Sequence, residues 1–137
     1  MEISFSPEVS DAIGDDLPIV ALESTVIAHG LPYPHNLQTA LELEKTVLGV
    51  GAIPATIAVF EGVCHVGLNN DQIEQLATRK DIRKISRRDL AVAAGTKLDC
   101  ATTVATTTFF AHRAGIKVFA TGGIGGVHRG YSQDISA

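Results

Sequence analysis

The sequence predicts an α/β fold, a layered α/β/α arrangement around a mainly parallel sheet, and three observations predict it. Hydrophobic residues make up 45% of the chain but aromatic residues only 5%, so the core is aliphatic, as in Val/Ile/Ala-rich sheets covered by helices. Several apolar runs are continuous rather than alternating, the mark of strands buried on both faces. Between them lie segments whose apolar residues recur at helical spacing, and strands alternating with helices favour parallel pairing. With 137 residues the chain has the length of one domain, and it contains no internal repeat, linker or low-complexity tract.

The elements follow in order. Ser6-Pro7-Glu8 with Val9, Ala12 and Ile13 reads as a short helix, with Ser6 as N-cap, Pro7 at the first helical position and Gly14 as terminator. Residues 18–25 form an apolar run closing on Glu23, Ser24 and Thr25, which predicts a buried parallel strand whose carboxyl end opens into a site. Turn residues at 30–34 precede a helix over 36–47, with Leu37, Ala40, Leu41, Val47 and Leu48 on one face and Gly49 and Gly51 closing it. Strands at 55–60 and 63–68, separated by Glu61-Gly62, predict a hairpin. Asn69 or Asn70 caps the next helix, in which Ile73, Leu76 and Ala77 share a face. Residues 82–86 are a short strand carrying basic side chains. The threonine-rich stretch 89–114 is read as one helix ended by Gly115, and a strand at 116–120 follows.

That last strand delivers Thr121-Gly-Gly-Ile-Gly-Gly-Val-His-Arg-Gly130, in which five glycines surround His128 and Arg129. Backbone without Cβ atoms lets N–H groups approach an anion, and the two basic side chains add charge-assisted hydrogen bonds. The loop is therefore a candidate phosphate site. It is not a dinucleotide fingerprint, because His128 stands where the third glycine belongs, and it lacks the Gly-Lys-Ser/Thr of a Walker loop. Glu23, preceded by Ile19-Val20-Ala21-Leu22, is a candidate proton donor, or else a carboxylate that caps a helix or pairs with an arginine. Asp134, with Ser132 and Ser136 nearby, suits a hard divalent cation or is a solvated acid. His29, before Gly30, reads as structural.

A formal net charge of −4 argues against a general nucleic-acid binder. Six of the 11 Lys and Arg residues nevertheless fall within positions 79–88, a local focus that suits a small anion better than a polymer. Most of these are expected on a solvated face, with Lys84 and one of Arg87 and Arg88 as exceptions. No apolar run approaches the roughly 20 residues that cross a bilayer. Met1-Glu2-Ile3-Ser4 lacks the basic region of a secretory signal, so a cytoplasmic location is expected. Cys64 and Cys100, without CxxC spacing, read as reduced packing residues.

Taken together, Val20-Ala-Leu-Glu-Ser-Thr-Val-Ile-Ala-His-Gly30, Pro54-Ala-Thr-Ile-Ala58, Lys84-Ile-Ser-Arg-Arg-Asp89, Ala101-Thr-Thr-Val-Ala105 and the glycine loop resemble the pseudouridine-5′-phosphate glycosidase family. The resemblance covers essentially the whole chain but less than half of a family member. It implies reversible cleavage of the C–C glycosidic bond of pseudouridine 5′-phosphate to uracil and ribose 5-phosphate, with one divalent metal, Mn2+. By the same resemblance Glu23 matches the proton donor, and Lys84 and Val104 match substrate-contacting positions. Asp134 matches the metal ligand, Ser136 and Ala137 begin a substrate-binding stretch, and His128 falls in the site region. The family attaches C1′ of the opened ribose to a lysine whose iminium takes up electrons. That lysine lies beyond Ala137 in the family, and none of Lys45, Lys80, Lys97 or Lys117 has a matching context.

The expectation is thus a fragment: residues 1–137 as the N-terminal part of a single such domain, its sheet incomplete at the C-terminal side, inactive alone. The implied partners are a small-molecule substrate and further copies of the chain in a homo-oligomer, with no nucleic-acid polymer and no membrane. The alternative is a non-catalytic sugar-phosphate-binding module that kept the anion site.

Overall fold

A computed structural model describes residues 1–126. In chain order these form β1 (Ile3–Phe5), α1 (Pro7–Gly14), β2 (Ile19–Glu23), α2 (Thr25–His29), α3 (His35–Gly49), β3 (Ile53–Phe60), β4 (Val63–Val66), α4 (Asn70–Thr78), β5 (Arg83–Ile85), α5 (Leu90–Gly95), β6 (Cys100–Thr102), α6 (Val104–Arg113) and β7 (Val118–Ala120), with a 3-10 turn at Arg87–Asp89. Pairings β1/β4, β2/β3, β2/β7 and β5/β6 are parallel, whereas β3/β4 and β3/β6 are antiparallel. The expected layered, mainly parallel α/β sheet is present.

Alternation along β3 builds the layers, because successive side chains of a strand point to opposite faces. Ala55, Ile57 and Val59 pack with Val9 of α1, Ala93 of α5 and Phe110 and Ala111 of α6. Ala58 and Phe60 pack instead with Ile27 of α2, Ala40 of α3 and Ile73, Leu76 and Ala77 of α4. Residues 55–60 are therefore buried without interruption.

Local rules account for the elements that were foreseen. Ser6 Oγ accepts from the Val9 N–H with Pro7 at the first helical position, and Asn69 closes a reciprocal capping box with Gln72. The β3/β4 hairpin turns through Glu61 and Gly62, both at positive φ, 50° and 77°. Here glycine is required, since a Cβ on Gly62 would stand 2.9 Å from the Ala94 carbonyl oxygen.

Several expectations need correction. The stretch 89–114 is not one helix: α5 stops at Gly95, Lys97 turns at φ 52°, and β6 intervenes before α6. Cys100, Ala101 and Thr102 are wholly buried between β3 and β5, so tertiary pairing overrides local helical preference there. The strand at 18–25 ends at Glu23, and Thr25 already starts α2. Gly14 lies inside α1, which is capped at Asp15. On α3 the buried stripe is Asn36 and Ala40, while Leu41 and Leu48 are exposed. β1 was not foreseen.

Among the described residues no helix is long and apolar enough to cross a membrane.

Candidate functional site

Two strands meet end to end on one edge of β3, and this places the site. β4 occupies one edge of β3 along Ile57 to Phe60, so β2, paired with 53–57, and β6, paired with Ala58 and Val59, share the other. They run towards each other. β7 lies outside β2 and β5 outside β6, so the carboxyl ends of two parallel pairs face each other at the level of Ile57. Carboxyl ends of parallel strands are where ligands bind in such sheets, because loops and helix N-termini gather there.

The junction is sealed by hydroxyls. Ser24 Oγ and Thr102 Oγ1 each donate to the Ile57 carbonyl at 2.6 Å, and the Thr102 N–H donates to Ser24 Oγ at 2.8 Å. With both protons committed, the 2.9 Å contact between Thr102 and Thr107 must have Thr107 as donor. Thr25 Oγ1 donates to the Thr102 carbonyl and Thr106 Oγ1 to that of Ile85. Ser24, Thr102, Thr106 and Thr107 are all fully buried, and no buried side-chain N or O atom among the described residues lacks a partner. Backbone groups that two abutting strands cannot offer each other are satisfied this way.

Glu23 stands at the end of β2, half-buried, and its Oε1 accepts from Thr121 Oγ1 at 2.5 Å. The pairing of Leu22 with Ala120 carries the next residues, Glu23 and Thr121, side by side. They border a cavity of about 520 Å3 whose walls include Leu22, Val26, Leu43, Ala120, Gly122 and Gly123. An acid on an apolar wall beside a glycine-rich backbone can deliver a proton to a bound molecule from which water has been displaced.

Lys84 and Val104 approach from the facing pair and do not line this cavity. Lys84 pairs with Ala101 on β6, and Val104 opens α6 two residues after Thr102, at the positive end of that helix. His29, at the end of α2, is held below its ordinary pKa by partial burial and then by the Lys84 charge, opposed by a backbone hydrogen bond at Ile82. The imidazole therefore stays neutral near neutral pH beside the lysine. Gly30 closes α2 where a Cβ would meet the Val26 carbonyl oxygen.

Two other members of the basic cluster make structural contacts. Arg79 binds Asp81 and Asp99, each at 2.6 Å, and Arg87 lies over the Phe109 ring, 5.0 Å from its centroid. Burial pushes the Cys64 thiol up to about 12 and Cys100 to about 11, so both are inert. His128, Arg129, Asp134, Ser136 and Ala137 lie outside the described residues. Among those described, no group of three His, Cys, Asp or Glu residues suits a metal ion, so the described part does not by itself supply a manganese site. Sequence reasoning missed Thr121 as a partner of the acid. Its signal was available, as the first residue past the strand that neighbours Glu23.

The protein-family comparison matches residues 8–137 to the model described as "Indigoidine synthase A like protein". A pseudouridine-5′-phosphate glycosidase of Herpetosiphon aurantiacus is 58% identical over 99% of this chain and 46% of its own length. That of Escherichia coli K12 is 54% identical over 98% of this chain and 44% of its own. The chain thus spans under half the length of these curated relatives. Among solved structures, the prealnumycin C-glycosynthase AlnA in complex with ribulose 5-phosphate superposes with a TM-score of 0.82 at 44% identity, covering 97% of this chain and 43% of that one. An indigoidine synthase A-like protein from Thermotoga maritima gives 0.83 at 29% identity, covering 99% and 44%.

Proposed function

Because the chain belongs to the indigoidine synthase A-like family, we propose that it forms the acid-bearing part of an enzyme that reversibly cleaves the C–C glycosidic bond of pseudouridine 5′-phosphate to uracil and ribose 5-phosphate. The observation that carries this reading is the position of Glu23: at a strand's carboxyl end, held by Thr121, on the rim of a cavity entered by the glycine loop. The names of the relatives supply the substrate, and the ribulose 5-phosphate of the C-glycosynthase supports a sugar phosphate as ligand.

Carbon is a poor leaving group, so cleavage needs an electron sink at C1′ and a proton at the departing atom. In this proposal Glu23 donates the proton, Lys84 and the amino end of α6 at Val104 hold anionic or ribose oxygens, and His128, Ser136 and Ala137 complete the substrate contacts. The amine that attacks C1′ comes from sequence outside this span. A divalent ion, Mn2+, held by Asp134 belongs to the proposal only through the family resemblance, and no step is drawn through it. A homo-oligomer is part of the same reading, supported by exposed Leu41, Leu48 and Val118. So is a cytoplasmic location, supported by two buried free thiols.

The test is uracil release by the complete protein carrying Glu23→Gln, which keeps the shape of the side chain but not its acid proton. Expected is loss of turnover with retained binding of ribose 5-phosphate. Turnover at the wild-type rate would remove Glu23 from the chemistry and the proposal with it.

A further inference from the structure

We propose that Thr121 is the positioning residue of the acid, fixing through its hydroxyl which oxygen of Glu23 carries the proton. The inference deepens the reading above and rests on it. Thr121 has one hydroxyl proton and three neighbours: Glu23 Oε1 at 2.5 Å, the Gly123 carbonyl at 3.1 Å and the Gly123 N–H at 3.3 Å. An N–H can only donate, so Oγ1 accepts from Gly123. The proton then goes to the carboxylate, the shorter and charge-assisted of its two acceptors. A directed chain results, from the Gly123 N–H through Thr121 Oγ1–H to Glu23 Oε1. With Oε1 committed as an acceptor, Oε2 is the oxygen left to carry and release the proton.

The chain begins in the glycine loop. A Cβ at Gly122 or Gly123 would meet nothing within 4 Å, so close packing is not what calls for glycine at these two positions. Any ligand that draws the Gly123 amide towards itself alters the hydroxyl that orients the acid, which links occupancy of the loop to the acid's geometry. β7 supplies the rigidity, since its register with β2 sets Thr121 beside Glu23 whatever the loop does.

The complete protein would be assayed for uracil release as wild type, T121V, T121S and E23Q, with thermal melts confirming folding. T121V should lower kcat about 10- to 100-fold, the worth of one hydrogen bond to a charged group. Its KM should stay within about threefold of wild type, and T121S should return kcat to within about threefold. Should T121V fail to fold, T121A set against T121S makes the same comparison. Wild-type kcat without the hydroxyl, or equal damage in T121V and T121S, overturns the inference. If E23Q is inactive while T121V is unimpaired, only this inference falls; if E23Q is active, the proposed function falls first.

Discussion

Ser24 and Thr102, 78 residues apart, place their hydroxyls on the same carbonyl oxygen, that of Ile57, each at 2.6 Å. Each protects Ile57 when the other is gone. Ser24→Ala also strands the buried Thr102 N–H and Thr102→Val the buried Thr107 hydroxyl, so each should cost about 1–3 kcal/mol. The double variant removes both donors, and its cost should exceed the sum of the singles by about 1 kcal/mol. Urea denaturation of the four proteins measures this, and strict additivity would show that the carbonyl finds another partner.

That junction also marks where sequence reasoning stopped. The hairpin at Glu61-Gly62, the caps at Ser6 and Asn69 and the exit of Glu23 from a buried strand were legible, because each depends on neighbours within a few residues. β6 and β1 were not. Three residues of strand carry no measurable period, and both exist through partners far along the chain: Cys100 opposite Val59 and Ile3 beside Cys64. In sequence the threonines of 102–107 count only as β-branched residues of lower helix propensity within one helix, since nothing local says that their hydroxyls would answer the Ile57 and Ile85 carbonyls. Leu41 and Leu48 fit a helical stripe in sequence, yet Asn36 takes the inner face by donating to the Ile27 and Ala77 carbonyls.

Glu44 gives a pH signature. Burial raises its carboxyl group above the ordinary value, opposed by the hydrogen bond from Thr56 Oγ1 at 2.6 Å. A carboxyl raised in this way binds its proton more tightly folded than unfolded. The linked stability is complete below the unfolded value and is lost as pH rises through the folded one. Glu44→Gln keeps an acceptor for Thr56 and removes the charge, so it should stabilise the fold at neutral pH by under about 1 kcal/mol after solvent screening, read as a higher Tm. The advantage should shrink towards pH 4. A gap between the two Tm curves that widens on acidification would contradict the assignment.

Gly62→Ala tests the hairpin. The residue sits at φ 77°, and the added methyl would face the Ala94 and Ala93 carbonyl oxygens at 2.9 and 3.1 Å. Left-handed strain and the backbone clash together should cost more than about 1 kcal/mol. Gly14→Ala is the control, since Gly14 is helical and has nothing within 4 Å of a new Cβ; it should be neutral or stabilising by up to about 1 kcal/mol. Equal denaturation midpoints for the two variants would mean that the turn relaxes freely.

Under the proposed function, Lys84 would serve substrate binding and Glu23 proton transfer. It lies on β5 beside β6, across the junction from Glu23, and its charge helps hold His29 neutral. A cation that grips substrate oxygens without touching the reacting bond contributes to binding in ground and transition states alike. Lys84→Met in the complete protein should therefore raise KM for pseudouridine 5′-phosphate about 10- to 100-fold and leave kcat within about threefold. Removing the charge also removes one of the two influences that depress the His29 pKa, so the His29 ring signals in NMR should titrate at higher pH in the variant. A fall in kcat with unchanged KM would move Lys84 from substrate binding to the chemistry. An unmoved His29 titration would mean that burial alone keeps the ring neutral.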